Sequence, residues 1–368
     1  MLGLGQTKAQ NASDIDINVR DELDLPTDTI SSISWAPSGN NPTFATSDWA
    51  SCIRIYNLDP NFSSLTQQAC FDAQSPCLCV KWHEDEKTVF AGCTDGSVKS
   101  YDIPSGNRSE IGRHEGPVKS VHWISAANAL LTLSFDKTLK FWDLRQAWPV
   151  AGYRLDHKVY CSDVLFPYLA IGLSEAKCLF VDLPNIQGAL GGRIKYLDSP
   201  LGDKTQITSI KVYNGERAGY GIGGNDGRCH ISHFSQGQQP FEKLDYVITF
   251  KAHKKDENQK LKLYPLNCFG FHPHRGHQFL YTCGGDGKMS FWDVKKKDRI
   301  AEFDFKDIAV TQAEIDPTGK YIAYSLGYDW ARGIQGYMSQ QPKVCVHTLK
   351  DKELEFKYEG NQNYPIKY

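Results

Sequence analysis

Asp136-Lys-Thr-Leu-Lys-Phe-Trp142-Asp143 and Asp286-Gly-Lys-Met-Ser-Phe-Trp292-Asp293 are two copies of one pattern: a turn, a short alternating strand and a Trp-Asp end. A fainter copy is Asp95-Gly-Ser-Val-Lys-Ser-Tyr101-Asp102, and another opens Asp226-Gly-Arg-Cys. Such a repeat constrains the fold strongly, because each unit is too small to bury its apolar face alone and must stack on its neighbours. Aligned on their third strands, the units end near Tyr56, Tyr101, Trp142, Val181, His233, Trp292 and His347. The first intervals are about 40 residues, the length of a four-stranded propeller blade, and the later ones exceed about 50, so the second half carries insertions. These fall at Lys254 to Leu263 and at Gly327 to Pro342.

Seven units predict an all-β, seven-bladed β-propeller. Helical periodicity is absent, and Gly, Pro and Asn punctuate the short strands. An open ring would expose unpaired backbone at its ends. The alternating stretch Asp14-Ile-Asp-Ile-Asn-Val19 precedes the first full repeat, and is predicted to complete the last blade and close the ring. On this reading residues 1–13 are a flexible tail, 14–350 one cooperative propeller and 351–368 a C-terminal extension. Losing the first twenty or so residues would destabilise the whole domain.

Bulk composition narrows the function. A formal net charge of −2 excludes a generally basic nucleic-acid coat, so any such binding must use a local patch. The eleven cysteines are scattered and form no C-x-x-C pair, which fits reduced thiols rather than a disulfide framework. The N-terminal stretch lacks the apolar run of a signal peptide, and no segment has transmembrane length. The chain reads as soluble and intracellular.

His114, Ser134 and Asp136 could be taken for a hydrolase triad, but their places in the repeat argue otherwise. In WD-repeat proteins, which the pattern resembles, a Trp, Ser/Thr, His and Asp at these positions form a buried hydrogen-bond chain that is costly to half-remove. We therefore expect His114, Ser134, Asp136 and Trp142 to be a structural tetrad. No G-x-S-x-G, P-loop or H-E-x-x-H pattern occurs, and a nucleophilic site would also need oxyanion donors. The expectation is a non-enzymatic protein without a cofactor. His272-Pro-His274-Arg-Gly-His277 gathers three imidazoles with no fourth ligand in view, whereas closed zinc sites want four, so it reads as a solvated hairpin without a metal. Gly221-Ile-Gly-Gly224 and Gly284-Gly-Asp-Gly287 do not lie between a strand and a helix, as a phosphate cradle requires, and read as hairpin turns.

Charge placement is more telling. Lys295, Lys296, Lys297 and Arg299 follow directly on Trp292-Asp293, in the turn joining the third and fourth strands of the sixth unit. Phe271 and His272 end the first strand of that unit. In an up-and-down blade these two ends share a face, which predicts an aromatic beside a cationic turn, suited to single-stranded nucleic acid. A solvated lysine turn is the plainer alternative. Lys251 to Lys262 joins two blades, opens on the opposite face, and is diluted by Asp256 and Glu257; a mobile loop is expected there. Arg228, in the Asp226-Gly-Arg turn, lies on that opposite face too. Where it is not simply solvated, it could clamp a partner carboxylate bidentately.

Several segments outside the generic repeat are more specific. With Pro117-Val-Lys-Ser-Val-His-Trp123, Ser199-Pro-Leu201, Phe271-His-Pro273 and the Trp-Asp units, Tyr160-Cys-Ser-Asp-Val164 and Tyr328-Asp-Trp-Ala-Arg-Gly333 resemble the messenger-RNA export factor family, propellers of the Gle type. The likeness runs from about residue 28 to residue 350. It implies an adaptor at the nuclear pore, located in the nucleus and nuclear envelope and shuttling to the cytoplasm, monomeric within a heteromeric complex. The implied partners are the acidic GLEBS hairpin of a nucleoporin, with Arg228 at the carboxylate-binding position, and single-stranded RNA or ribonucleoprotein. Phe271, Trp292, Lys297 and Arg299 match the positions associated with RNA, with His272, Lys295 and Lys296 beside them. Val294 departs from the family, which can carry a lysine there. The sister spindle-checkpoint propellers, which bind GLEBS-like segments of checkpoint kinases, are the nearest alternative. A ubiquitin-ligase substrate adaptor is a further one.

Overall fold

The turn between the second and third strands of each repeat shows why aspartate recurs there. Asp136 Oδ1 accepts both the backbone N–H (2.8 Å) and the hydroxyl (2.6 Å) of Thr138, and Asp95 does the same for Ser97. A carboxylate thus closes the turn locally. The following residue adopts a positive φ: +83° at Gly96, +74° at Gly227 and +69° at Lys137. A Cβ at Gly96 would lie 2.4 Å from the carbonyl oxygen of His114, and one at Gly227 equally close to that of His253. Glycine is required there on two counts, conformation and space.

The computed structural model describes residues 10–11, 17–18 and 25–354, apart from 41, 60–63, 216, 236–240, 242–243, 258–259, 332 and 337–340. Its strands form seven antiparallel blades. Blade 1 runs Ile30–Trp35, Thr43–Asp48, Cys52–Leu58 and Leu65–Asp72. Blade 3 is Val118–Ile124, Ala129–Ser134, Thr138–Trp142 and Pro149–Arg154; blade 5 is Ile207–Tyr213, Gly219–Gly224, Arg228–Phe234 and Leu244–Lys251. Blade 6 is Leu266–His272, Gly276–Gly284, Lys288–Asp293 and Asp298–Asp304. Every expected third-strand end, from Tyr56 to His347, falls within the third strand of its blade. Blade 7 takes its fourth strand from the other end of the chain: Ile17 pairs with Val346 and Asn18 with Cys345, antiparallel. Asp14 to Asp16 and Val19, also predicted for that strand, lie outside the described residues.

Between neighbouring blades lies an apolar cluster, so the core is a ring of seams rather than one centre. Blades 3 and 4 share Leu131, Leu139, Leu169 and Val181, and blades 6 and 7 share Phe279, Phe291, Ile322 and Tyr324. The closing seam holds Trp35 and Phe44 of blade 1 against Tyr321 and Val346 of blade 7. There Trp35 donates its indole N–H to the Glu314 carbonyl at 2.8 Å. Burial at every seam makes each blade depend on both neighbours.

Three departures from expectation appear. Gln10 and Asn11, assigned to a flexible tail, run parallel to the fourth strand of blade 6, opposite Phe303 and Asp304. The expected mobile loop at 251–262 is a hairpin, Lys254–Glu257 with Lys260–Leu263. Despite the absence of helical periodicity, short helices form at Ile186–Leu190 and Asp351–Leu354. The second docks back on the ring, where Glu353 meets buried His347 at 2.9 Å.

Candidate functional site

The third blade contains a buried polar chain. Trp142 donates its indole N–H to the Thr132 hydroxyl (2.8 Å), which also bonds His114 Nε2 (2.8 Å). His114 Nδ1 reaches Thr138 (2.8 Å) and Asp136 (3.2 Å). The hydroxyl at the centre is therefore Thr132, not Ser134, whose side chain instead donates to the carbonyls of Gly116 and Pro117. The two positions are two apart on one strand and share a face, so pattern alone could not separate them. Burial pushes His114 down to about 4 although Asp136 opposes the shift, so the ring is neutral near pH 7.

In the sixth blade, Phe271 pairs with Leu280 and Leu280 with Trp292, so the ends of the first and third strands meet on one edge. Phe271 is half-buried, its ring 4.7 Å from that of Tyr213 in blade 5. Lys295, Lys296 and Lys297 are exposed on the turn that follows Val294, and Lys297 holds φ +59°. These four residues supply an aromatic surface and a cationic turn on the same edge.

Three other residues assigned to that surface are already engaged. His272 is only 5% exposed. Its Nε2 donates to the Gly319 carbonyl (3.1 Å) and its Nδ1 accepts the His274 N–H, which fixes a neutral ring. Trp292 is buried against Phe250 and donates to Thr282 Oγ1 at 2.9 Å, as Trp142 does to Thr132. Its ring offers no free face for a stacking base. Arg299 pairs with Glu302 beneath Trp292, and Glu302 also takes Lys288. His277 turns toward Tyr213 and His233 of blade 5 rather than toward His272. Among the described residues, no group of His, Cys, Asp or Glu side chains is placed to hold a metal ion.

The opposite face is built from the second-to-third-strand turns and the connections between blades. Arg228 sits there with its guanidinium folded inward: Nε donates to Asp226 (2.5 Å), and Nη2 to Thr205 (2.9 Å) and the Leu201 carbonyl. Its side chain remains 29% exposed, so a partner carboxylate would meet it at the rim of this network. Between the first strands the channel mouth opens into a cavity of about 510 Å³, lined by Trp49, Trp330, Asp28, Asp329, Asn267 and Lys119. Trp49 and Trp330 are both more than two-fifths exposed. Neither carries a binding role predicted from sequence. Their signal was a bulky aromatic at a turn, where small polar residues are usual.

Residues 65–102 and 107–143 match the family described as WD domain, G-beta repeat. The chain is 31% identical over 336 residues to the Caenorhabditis elegans protein named mRNA export factor rae-1, spanning 88% of this chain and 86% of that one. It is 29% identical over 359 residues to the Poly(A)+ RNA export protein of Schizosaccharomyces pombe, covering 95% and 97%. To the mRNA export factor GLE2 of Chaetomium thermophilum it is 27% identical over 364 residues, covering 96% and 98%.

Proposed function

The chain belongs to the mRNA export factor family, and from that premise we propose that it is a non-enzymatic adaptor of the nuclear pore that holds a nucleoporin on one face and single-stranded RNA on the other. The observation that carries this reading is the separation of two cationic features, Arg228 and Lys295–Lys297, onto opposite faces of one ring. A ring whose seams are all packed cannot bring those faces together, so two ligands can be held without competing. Arg228, already oriented by Asp226 and Thr205, would receive the carboxylates of an acidic GLEBS hairpin. Phe271 and the three lysines would receive a base and its neighbouring phosphates. His272, Trp292 and Arg299 would support that edge from beneath rather than touch RNA. The protein would act in the nucleus and at the pore, shuttling with its cargo.

The test is a pull-down from nuclear extract with wild type, Arg228→Glu, Arg228→Gln and Lys295→Glu/Lys296→Glu/Lys297→Glu. The two Arg228 variants should lose the nucleoporin and keep RNA; the lysine variant should do the reverse. Recovery of checkpoint kinases without a nucleoporin would overturn the reading.

A further inference from the structure

We propose that the cavity at the channel mouth is a receptor for an N-methylated lysine side chain carried on a basic peptide. Trp49 and Trp330 would be its aromatic walls, and Asp28 and Asp329 its counter-charge. The site is separate from Arg228, which does not line the cavity.

Thr29 ties the walls together. Its buried carbonyl accepts the Trp49 N–H at 3.1 Å, and its hydroxyl donates to the Tyr328 carbonyl at 3.0 Å. Its own N–H donates to Asp28 Oδ1 at 2.6 Å. Both tryptophan-bearing segments and one carboxylate therefore converge on a single residue. The Trp330 segment is braced a second time. Tyr328 donates its hydroxyl to the Gly333 carbonyl (2.6 Å), and its ring lies 5.3 Å from that of Trp330. Asn267 Nδ2 spans Asp329 Oδ2 and the Val310 carbonyl. Trp330 itself holds φ +60°, a conformation costly for a bulky residue that persists only where the surroundings impose it. That cost keeps a large aromatic side chain 43% exposed at the mouth, where burial contributes least to folding. An aromatic held out in this way is a preorganised ligand surface.

The lining selects both the charge and the hydrogen bonding of the ligand. Two carboxylates face one ammonium, that of Lys119, which leaves the mouth with a net negative formal charge. Tryptophan faces attract cations more strongly than those of tyrosine or phenylalanine. Three of the four carboxylate oxygens already accept a protein N–H, from Thr29, Ala331 and Asn267. They supply negative potential more than open acceptors, which suits a cation that donates no hydrogen bond. A trimethylammonium group is such a cation, and its methyl groups pack directly on π faces. At about 510 Å³ the cavity exceeds that group alone, and Ile30 and Leu78 line it beside Thr208 and Gln312. The methylene stem of the lysine would lie on the first pair, and the peptide backbone would meet the second.

The experiment uses the full chain and a fluorophore-labelled lysine-rich peptide in three forms. One lysine is trimethylated, left unmodified, or replaced by the uncharged isostere in which carbon stands for the ammonium nitrogen. Fluorescence anisotropy should show the trimethylated form binding about tenfold more tightly than either of the others. Trp49→Ala and Trp330→Ala should each remove that preference, and Trp49→Phe and Trp330→Phe should retain part of it. Asp28→Asn/Asp329→Asn should weaken binding of the trimethylated form and leave that of the isostere unchanged. Equal affinity for all three forms, or a preference that survives both alanine changes, would overturn the site. Equal affinity for the trimethylated form and the isostere would overturn recognition of the cation. Free choline binding as tightly as the trimethylated peptide would overturn the peptide as bearer of the group, in favour of a small quaternary amine.

Discussion

Blades 3 and 6 carry the same Asp-to-Trp-Asp unit and use it differently. In blade 3 the chain from Trp142 through Thr132 to His114 and Asp136 is continuous. In blade 6 it is broken into two pairs. Trp292 bonds Thr282, and His253 bonds Asp286 at 2.8 Å, while His253 Nε2 and Asp286 Oδ2 are buried without a partner. The hairpin insertion separates His253 from the first strand of its blade, whereas His114 lies a few residues before its own. The turns that follow differ likewise. After Trp142-Asp143, Arg145 folds back on Asp143 with Nε at 2.8 Å, which cancels the charge. After Trp292-Asp293, the turn presents three exposed lysines, and Asp293 accepts the backbone N–H of Lys296. One copy of the motif closes a continuous buried chain and is followed by a neutralised turn, and the other is followed by a turn of three exposed lysines.

The sharpest way to break this contrast is at the two central hydroxyls. Thr132→Val would strand both Trp142 and His114 in a buried site and should cost about 3 kcal/mol in denaturant unfolding, whereas Thr282→Val strands one donor and should cost about half as much. Equal losses would erase the distinction between the blades. The turns offer the next test. Lys295→Glu/Lys296→Glu/Lys297→Glu should lower single-stranded RNA affinity by about a hundredfold at moderate salt and flatten the log–log salt slope by about 2, with Arg145→Glu as a control that changes neither. An RNA affinity indifferent to the lysines would remove blade 6 from the RNA-binding role.

Acidification probes the buried histidines of several blades together. Burial holds His114, His230 and His272 down to about 4 and His122 to about 3, from an ordinary 6.5. Above about pH 6.5 neither folded nor unfolded chain protonates them. Between about 6.5 and 4 the unfolded chain takes up protons that the folded one refuses, so stability must fall as pH drops through that window. The melting temperature should be several degrees lower at pH 5 than at pH 7, and a flat profile would refute neutral burial. The smallest effect should be that of Ser134→Ala, at about 1 kcal/mol, because its hydroxyl serves backbone groups, the carbonyls of Gly116 and Pro117 and the N–H of Asp136, rather than the side-chain relay.

Much of this was legible in the chain. Aspartate, glycine and Trp-Asp recur at blade spacing because turn chemistry is local: a carboxylate closes the turn, and glycine supplies the positive φ. The parity of the loops followed from strand alternation, which put Arg228 and the lysine turn on opposite faces. His272 and Trp292, expected on the RNA-binding edge, are buried because their surroundings come from other blades and turns, Gly319 for one and Phe250 for the other. The 254–263 hairpin was missed because lysine-rich composition hides a pairing that depends on the opposite strand.

By itself, then, the amino-acid sequence determined the number of blades, the turns, the closing strand and the sign of charge on each edge, since all of these depend on residues close in the chain or on a repeating period. The tertiary structure decided which hydroxyl carries the buried chain, which aromatics stay half-open and which cations are spent internally. Those outcomes depend on side chains that neighbouring blades bring within a few ångströms, and burial and hydrogen-bond satisfaction are properties of that packing rather than of any local pattern.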